Sequence, residues 1–559
     1  MSKHAGDTMT EGELGMEQDH DSQARDGASH SRRDFLKGTV GGAAALGMGG
    51  LLAPHGTARL DPTQRSATER ALARPATAKP KRGGRLRLAS TGGGSSDTLD
   101  GNNCVENLDF ARAPQLYDCL LELDANATPQ LALAEEVTPN ASSTEWTIRV
   151  RKGIEFHNGK ELNIDDVLFT FNRIVTNKFA SASALASMNL SAAKKLDAYT
   201  VRIPMHAAYS IMPLTLIGEG EMSIVPVGYD PKKPVGTGAF KYQSFTPGQQ
   251  SVFSRNDNYW RSGEPYFDEV VITDFTDETS QVNALLSGAA DVVDQLSIAS
   301  VAPIKSGGKT IEIWEGPGWV PFTMRLDQAP FNDVRVRQAM RLLVNRPQMR
   351  LLAFGGYGLI GNDVFGVLQP DYDTALPQRH QDIAQAKFLL KKAGHENLTT
   401  TLVTAPIKSG AVQMAEILKQ QASAAGVTIN LDSVTSGTFF GPSYLKWTFA
   451  QDWWSGYPYL HQAAYSMIPG APWDETHWDT SPYAPKYLRL YKEALSTVDA
   501  AKQNELVHEM MTMDWTEGGY IIPVFTPVIA GQSKAVQGAG PQKTANPWIN
   551  YHFRSLWFA

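Results

Sequence analysis

Apolar positions along the chain switch repeatedly between a period of two and a period of three to four, so strands and helices alternate. Trp146-Thr147-Ile148-Arg149-Val150 is apolar at every second position, the pattern of a strand with one face buried. Asn163 suits a helix cap, and Val167, Phe171 and Ile174 then share one stripe. A helix is expected from Thr279, with Val282, Leu285 and Leu286 inward and Gly288 as its stop. Asn332-Asp333 caps another, carrying Val336, Ala339, Met340, Leu343 and Val344. Asp382 opens a helix with Ile383, Ala386, Leu390 and Ala393 on one side, ended by Gly394. Val412, Ala415, Leu418 and Ala422 mark one more, stopped by Gly426, and Val427-Thr428-Ile429-Asn430-Leu431 follows at once as a strand. Helix, glycine, strand is the unit of an α/β layer.

The amino-terminal pattern is different. Ser31-Arg32-Arg33-Asp34-Phe35-Leu36-Lys37 precedes a Gly/Ala-rich apolar run to about Ala53 and then Gly56-Thr57-Ala58. A basic segment, a short apolar core and small residues make a removable export signal over residues 1–58, and the adjacent arginines mark the twin-arginine route. The run is shorter than the ~20 residues a membrane span needs. No cysteine lies near its end, so no lipid anchor of the lipoprotein type is expected. Residues 59–82, rich in Ala, Pro, Thr and Arg, read as a flexible tether. The remainder, roughly 475 residues, is too long for one core. A hydrophobic fraction of 42% and a formal net charge of −7 are those of an ordinary globular protein, and argue against nucleic acid or an anionic membrane as the main partner.

Candidate chemistry is thin. Cys104 and Cys119 are the only cysteines, and either pair across a short loop or stay as two thiols. Neither a CxxC nor a Cys/His cluster is present, so no metal site is expected. Gly356-Tyr357-Gly358-Leu359-Ile360-Gly361 fits the dinucleotide fingerprint, yet it follows a helix and opens none, so it reads as a glycine-rich loop. Gly307-Gly308-Lys309-Thr310 resembles the end of a phosphate loop but has Pro303 in place of the first glycine. HExxH and GxSxG are absent, and no carboxylate pair is singled out for acid/base work.

An ordered set of motifs carries a resemblance. It includes Gly83-Gly84-Arg85-Leu86, Asp97-Thr98-Leu99-Asp100, Leu116-Tyr117-Asp118 and Thr128-Pro129-Gln130-Leu131-Ala132. Arg151-Lys152-Gly153-Ile154-Glu155-Phe156-His157-Asn158-Gly159 follows, then Pro234-Val235-Gly236-Thr237-Gly238, Asn256-Asp257-Asn258-Tyr259-Trp260 and Phe331-Asn332-Asp333-Val334-Arg335. From Arg82 to about Glu509 the chain resembles the extracytoplasmic solute-binding proteins of family 5, which serve peptide, nickel and opine importers of the ATP-driven (ABC) type. The resemblance implies an α/β fold of the two-lobed periplasmic-binding-protein kind, large (cluster C) type, hinged on two crossover segments near residues 314–320 and 520–525. Lobe I is then expected over 83–317, lobe II over 318–519, and a return to lobe I over 520–559. Most of the motifs read as scaffold, with His157 steadying a turn and Arg335 and Arg337 in structural ion pairs. The resemblance further implies a monomeric, periplasmic receptor and not an enzyme. It takes no cofactor, inserts in no membrane after cleavage, and hands its solute to a permease after export by the twin-arginine translocase. An extracytoplasmic hydrolase or chaperone on the same scaffold is the alternative.

Peptide-binding members carry an aspartate in a Trp-x-x-Asp type of segment that pairs with the ligand's amino terminus. Here the segment reads Asp452-Trp453-Trp454-Ser455-Gly456-Tyr457-Pro458, with Gly456 near the aspartate's position. That departure opens the ligand class to peptide-like, opine-like or oligosaccharide solutes. Ligand-binding residues are expected among Trp454, Trp453, Asp452, Tyr457, Gly456, Asp363, Asn362, Trp473 and Thr98. Adjacent Trp453 and Trp454 cannot both face inward from one strand, which directs one of them to the cleft.

Overall fold

The computed structural model describes residues 79–217 and 220–559. The export signal and residues 59–78 of the tether lie outside the described residues. An eight-stranded sheet runs in the order Thr310–Trp319, Val524–Gln532, Val292–Val293, Arg85–Thr91, Glu269–Phe275, Gln250–Arg255 and Phe240–Thr246, with Leu359–Ile360 added against Val524–Gln532. The strand nearest the amino end and one within 40 residues of the carboxyl end thus share a sheet. A five-stranded sheet orders Thr428–Ser433, Thr399–Thr404, Phe449–Gln451, Phe322–Met324 and Tyr520–Ile521. An antiparallel four-stranded sheet is made from residues 134–204.

The chain passes between the two large sheets twice. Thr310–Trp319 pairs with Val524–Gln532 in the first sheet. Only three residues beyond Trp319, Phe322 pairs with Ile521 in the second. The outward crossing therefore lies at Val320 and Pro321, and the return at Ile522 and Pro523. Short parallel links bend more readily than either sheet, so the two lobes are joined as a hinged pair.

Local sequence rules account for most elements. Asn163 accepts from the Asp165 N–H and caps Ile164–Asn177, whose Val167, Phe171 and Ile174 are buried. The helix expected from Thr279 begins earlier, because the Asp277 carboxylate accepts from the Ser280 N–H and starts Glu278–Ser287. Asp333 and Asp382 cap Val334–Leu342 and Ile383–Ala393, and Gly394 ends the latter in a left-handed conformation. The dinucleotide-like glycines have a steric purpose. A side chain at Gly358 or Gly361 would collide with the carbonyls of Phe525 or Ile522, so these glycines let the loop lie on the return crossing.

The scaffold motifs pack as polar hubs. His157 Nδ1 accepts from the Gly236 N–H at 3.3 Å and Nε2 lies 3.0 Å from the Gly238 carbonyl, strapping that loop. Asp118 gathers Thr237, Tyr259 and Trp260 at 2.9–3.0 Å. Arg335 pairs with Asp333, but Arg337 has no ion pair of that kind: its guanidinium donates to the carbonyls of Phe331 and Glu517. Cys104 and Cys119 are not joined, and the buried Cys104 thiol points at the Gly101 carbonyl.

Candidate functional site

The hinge carries an aromatic stack. Trp319, at the end of its strand, exchanges backbone hydrogen bonds with Trp454, both 3.0 Å. Their indoles stack at 5.9 Å, and Trp319 also stacks on Phe365 and meets Tyr520 edge-on. Trp454 Nε1 donates to Glu475 Oε1 at 2.8 Å, leaving the residue 6% exposed. Trp473 stands edge-on to Trp454, and Tyr457 lies on His461 at 5.0 Å and beside Tyr465. Most of the aromatic density between residues 447 and 478 therefore packs against itself. Trp453 faces the other way, half-buried on the core of the second sheet with Lys408 Nζ 5.0 Å over its ring.

Gly456 adopts φ +90°, and a Cβ there would overlap the Pro317 carbonyl in the strand that leads into the outward crossing. No aspartate fits at this position without moving that crossing. Asp452 is buried, accepting from Tyr444 Oη at 2.9 Å and the Trp453 N–H at 2.8 Å. Burial pushes its carboxyl up to about 7. Burial, then the Asp452 charge, pushes the Glu475 carboxyl well up.

Three expected site residues sit in scaffold instead. The Asp363 carboxylate meets Arg346 at 2.7 Å and Arg379 at 2.8 Å, and accepts the Ile522 N–H at 3.0 Å. Asn362 accepts from the Arg379 N–H and donates to the Pro377 carbonyl. With both groups buried and engaged, neither has a face left for a solute. Thr98 Oγ1 accepts from the Asp100 N–H, beside the buried Asp97–Arg112 ion pair. Motif position alone does not reveal where a side chain finds its partners.

A narrow crevice, with a cavity volume of about 30 Å³, lies where the two sheets face each other. Gln295, Thr526 and Asn546 line it from the first-sheet side, and Lys408, Ser409, Trp454 and Ser455 from the second. Among the described lining residues Lys408 is the charged one. It sits in the loop between strand Thr399–Thr404 and helix Ala411–Ser423, whose cap Gly410 offers no side-chain oxygen to the first-turn N–H groups. A cation and a helix amino end beyond the carboxyl ends of parallel strands suit an anionic group. That strand-loop-helix order is the signal that points to Lys408. Nothing local in the sequence points to Asn546.

The wall carrying Asn546 is unusual in its backbone. Trp548, Ile549, Asn550 and Tyr551 all have φ between 53° and 62°, in the left-handed region. None is glycine and Ile549 is β-branched, so each costs about 1–2 kcal/mol. Gln295 is left-handed too, at φ 52°.

Among the described residues no group of His, Cys, Asp or Glu is placed to hold a metal ion, and no helix is long and apolar enough to cross a membrane. Two lobes, two crossings and a crevice between them are the architecture of a binding protein of the hinged kind. A family model described as bacterial extracellular solute-binding proteins, family 5, middle, matches residues 128–476, and the chain belongs to that family. The glutathione-binding protein GsiB of Shigella flexneri serotype 5b (strain 8401) is 24% identical over 467 residues, covering 80% of this chain and 90% of that one. Solved structures of the same fold include DppA from Helicobacter pylori with the peptide STSA, at TM-score 0.75 and 18% identity over 86% of this chain and 98% of that one. AgaA from A. tumefaciens R10 with agropinic acid gives TM-score 0.73 and 21% identity over 85% of this chain and 99% of that one. This chain is an extracytoplasmic solute-binding protein of an ABC importer, and not an enzyme.

Proposed function

We propose that the solute is a small amino-acid-derived molecule bearing a carboxylate, peptide-like or opine-like, held between the lobes and handed to the importer's permease. The observation that carries this is Lys408 lining the crevice between the sheets, just ahead of a helix whose cap Gly410 offers no side-chain oxygen to the first-turn N–H groups. GsiB, named for glutathione, and AgaA, solved with agropinic acid, are relatives whose named ligands have that chemistry. An oligosaccharide platform has less support, since Trp454, Tyr459 and Tyr465 are buried within their own stack. Trp454 and Trp453 flank the carboxylate position, one supporting the cavity roof and the other beneath Lys408. The lobes divide at the two crossings near residues 320 and 522, slightly beyond the expected 317 and 519; the chain acts as a monomer, and it leaves the cytoplasm by the twin-arginine route without a lipid anchor.

Thermal-shift measurements with reduced glutathione, the dipeptide Met-Leu, agropinic acid and maltotriose test the reading. A rise in Tm with a carboxylate probe, recovered intact by mass spectrometry, is expected. Stabilisation by maltotriose alone, by no probe, or with probe hydrolysis overturns it.

A further inference from the structure

The lobes also meet far from the crevice. The loop that follows the four-stranded sheet, residues 205–217, belongs to the first lobe. Its Tyr209 carbonyl accepts from Trp146 Nε1 at 2.8 Å, which holds the loop on that sheet. The sheet's own flank is tied to the first lobe by Arg173 on Asp100 and by Asn102 Nδ2 on the Ser223 carbonyl at 2.9 Å. Across from the loop, helices Ala484–Ser496 and Ala500–Glu517 lie between the two crossings and are joined by Thr497, Val498 and Asp499. Ser210 enters the corner they make. Its N–H donates to the Leu495 carbonyl at 2.8 Å, and its Oγ accepts from Gln503 Nε2 at 2.7 Å. Gln503 is aimed by its own lobe, since the same Nε2 donates to the Ala494 carbonyl at 2.8 Å. Around these bonds Tyr209, Ile211 and Met212 share one buried core with Tyr491, Ala494 and Leu495. Burial, and then Tyr209 across the joint, push the Tyr491 hydroxyl up.

Closure on a solute belongs to every hinged receptor. Here one set of closing contacts lies outside the crevice, since none of Ser210, Leu495 and Gln503 lines it. Parting the lobes breaks both bonds to Ser210 and brings apolar side chains of the loop and helix into water, at a cost that is the same whatever occupies the cleft. We propose that Ser210 and the Leu495–Gln503 corner form a latch that holds part of the receptor population closed before solute arrives, and so scales affinity for every solute by one factor. The latch sets the balance between open and closed, and the crevice residues set which solute is preferred. It follows from the two-lobed architecture and does not depend on the carboxylate reading.

Two variants test the latch. Ser210→Arg puts a long charged side chain into the corner and props the lobes apart, whereas Ser210→Ala removes only the Gln503 bond. Small-angle X-ray scattering of the solute-free proteins should give a larger radius of gyration for Ser210→Arg than for the wild type, with the far-ultraviolet circular dichroism of a folded chain. Calorimetry with reduced glutathione, Met-Leu and agropinic acid should show Ser210→Ala weakening every probe the wild type binds by one common factor, about two- to tenfold for a single hydrogen bond. Scattering curves that coincide for the wild type and Ser210→Arg overturn the latch, and so does a loss of affinity confined to one probe. A fall in Tm at an unchanged radius of gyration assigns Ser210 to stability alone and likewise overturns it. Should Ser210→Arg fail to fold, Ser210→Ala takes its place in the scattering with the same direction expected. Absence of binding by the wild type to every probe overturns the carboxylate reading, while the scattering still decides the latch.

Discussion

Trp319 and Trp454 exchange both backbone hydrogen bonds at 3.0 Å and stack their indoles at 5.9 Å, so the outward crossing and the cavity roof are one piece of structure. Movement of the crossing as the lobes open must move Trp454 with it, and this ties solute contact to hinge angle.

Truncating that roof should therefore be costly. Trp454→Ala removes a buried indole from a stack of four rings and should destabilise the protein by about 3–5 kcal/mol. Trp454→Phe keeps a ring but leaves Glu475 Oε1 without its donor, at a cost of about 1–3 kcal/mol. Urea unfolding followed by circular dichroism measures both, and equal losses would show that packing and the Glu475 bond had been wrongly apportioned.

Gly456 carries the departure from the peptide-binding pattern, and sterics make that departure a property of the backbone. With φ at +90° and the Pro317 carbonyl in the way, Gly456→Ala should cost roughly 2 kcal/mol or more. Gly456→Asp should destabilise further without raising affinity for Met-Leu. A Gly456→Asp protein that folds normally and binds the dipeptide more tightly would contradict this account.

His461 gives a pH signature. Burial holds its imidazole down at about 4, against an ordinary value of 6.5. The folded state thus binds the proton less readily than the unfolded chain, and the associated stability is full above pH 6.5. It declines as pH falls from 6.5 to 4, by roughly 3 kcal/mol in total. The raised carboxyls of Asp452 and Glu475 act in the opposite sense, so the comparison with His461→Gln isolates the effect. The wild type should lose stability relative to that variant across this window, and a constant difference would mean the ring is hydrated.

Legibility in the sequence followed the range of the interactions. Helix caps at Asn163, Asp333 and Asp382, and the stop at Gly394, are decided within four residues and could be read directly. The fold followed from many short motifs in order, each a local turn or hub such as His157 against Gly236. Site residues were less visible because their roles are set across long separations. Asp363 is decided at long range, since Arg346, Arg379 and the Ile522 N–H, 159 residues on, take its oxygens. Asn546 has no sequence pattern to mark it, and the turn after it is held by Trp548 against Gln532 and Tyr551 against Asp294, contacts that only folding brings together.

Lys408 should govern affinity through its charge. A Lys408→Met change keeps the stem over Trp453 and removes the charge. Affinity for agropinic acid or glutathione should drop about 10- to 100-fold, as expected for losing a charge-assisted bond of about 1.5–3 kcal/mol. Wild-type binding should weaken as salt rises, and that dependence should flatten in the variant. Equal affinities at low and high salt for both proteins would remove Lys408 from the site.

Asp363 supports the other crossing, and its loss should be felt in the hinge. Burial alone would raise its carboxyl, but Arg346, Arg379 and Arg341 outweigh that and hold it below its ordinary 3.8. A depressed value means the unfolded chain binds this proton more readily. The stability it confers is present above about pH 3.8 and is lost as pH falls through the lower folded value. Asp363→Asn leaves three buried guanidiniums without their counter-charge and weakens the acceptor for the Ile522 N–H. Breaking a buried pair from one side costs about 3–5 kcal/mol, and salt should not restore it because the site is closed to ions. The variant should unfold at lower urea at pH 7, and its deficit should shrink below pH 3.8, where the wild type loses the same charge. A deficit that stayed constant to pH 2 would assign the loss to packing and remove the ion cluster as the anchor of the return crossing.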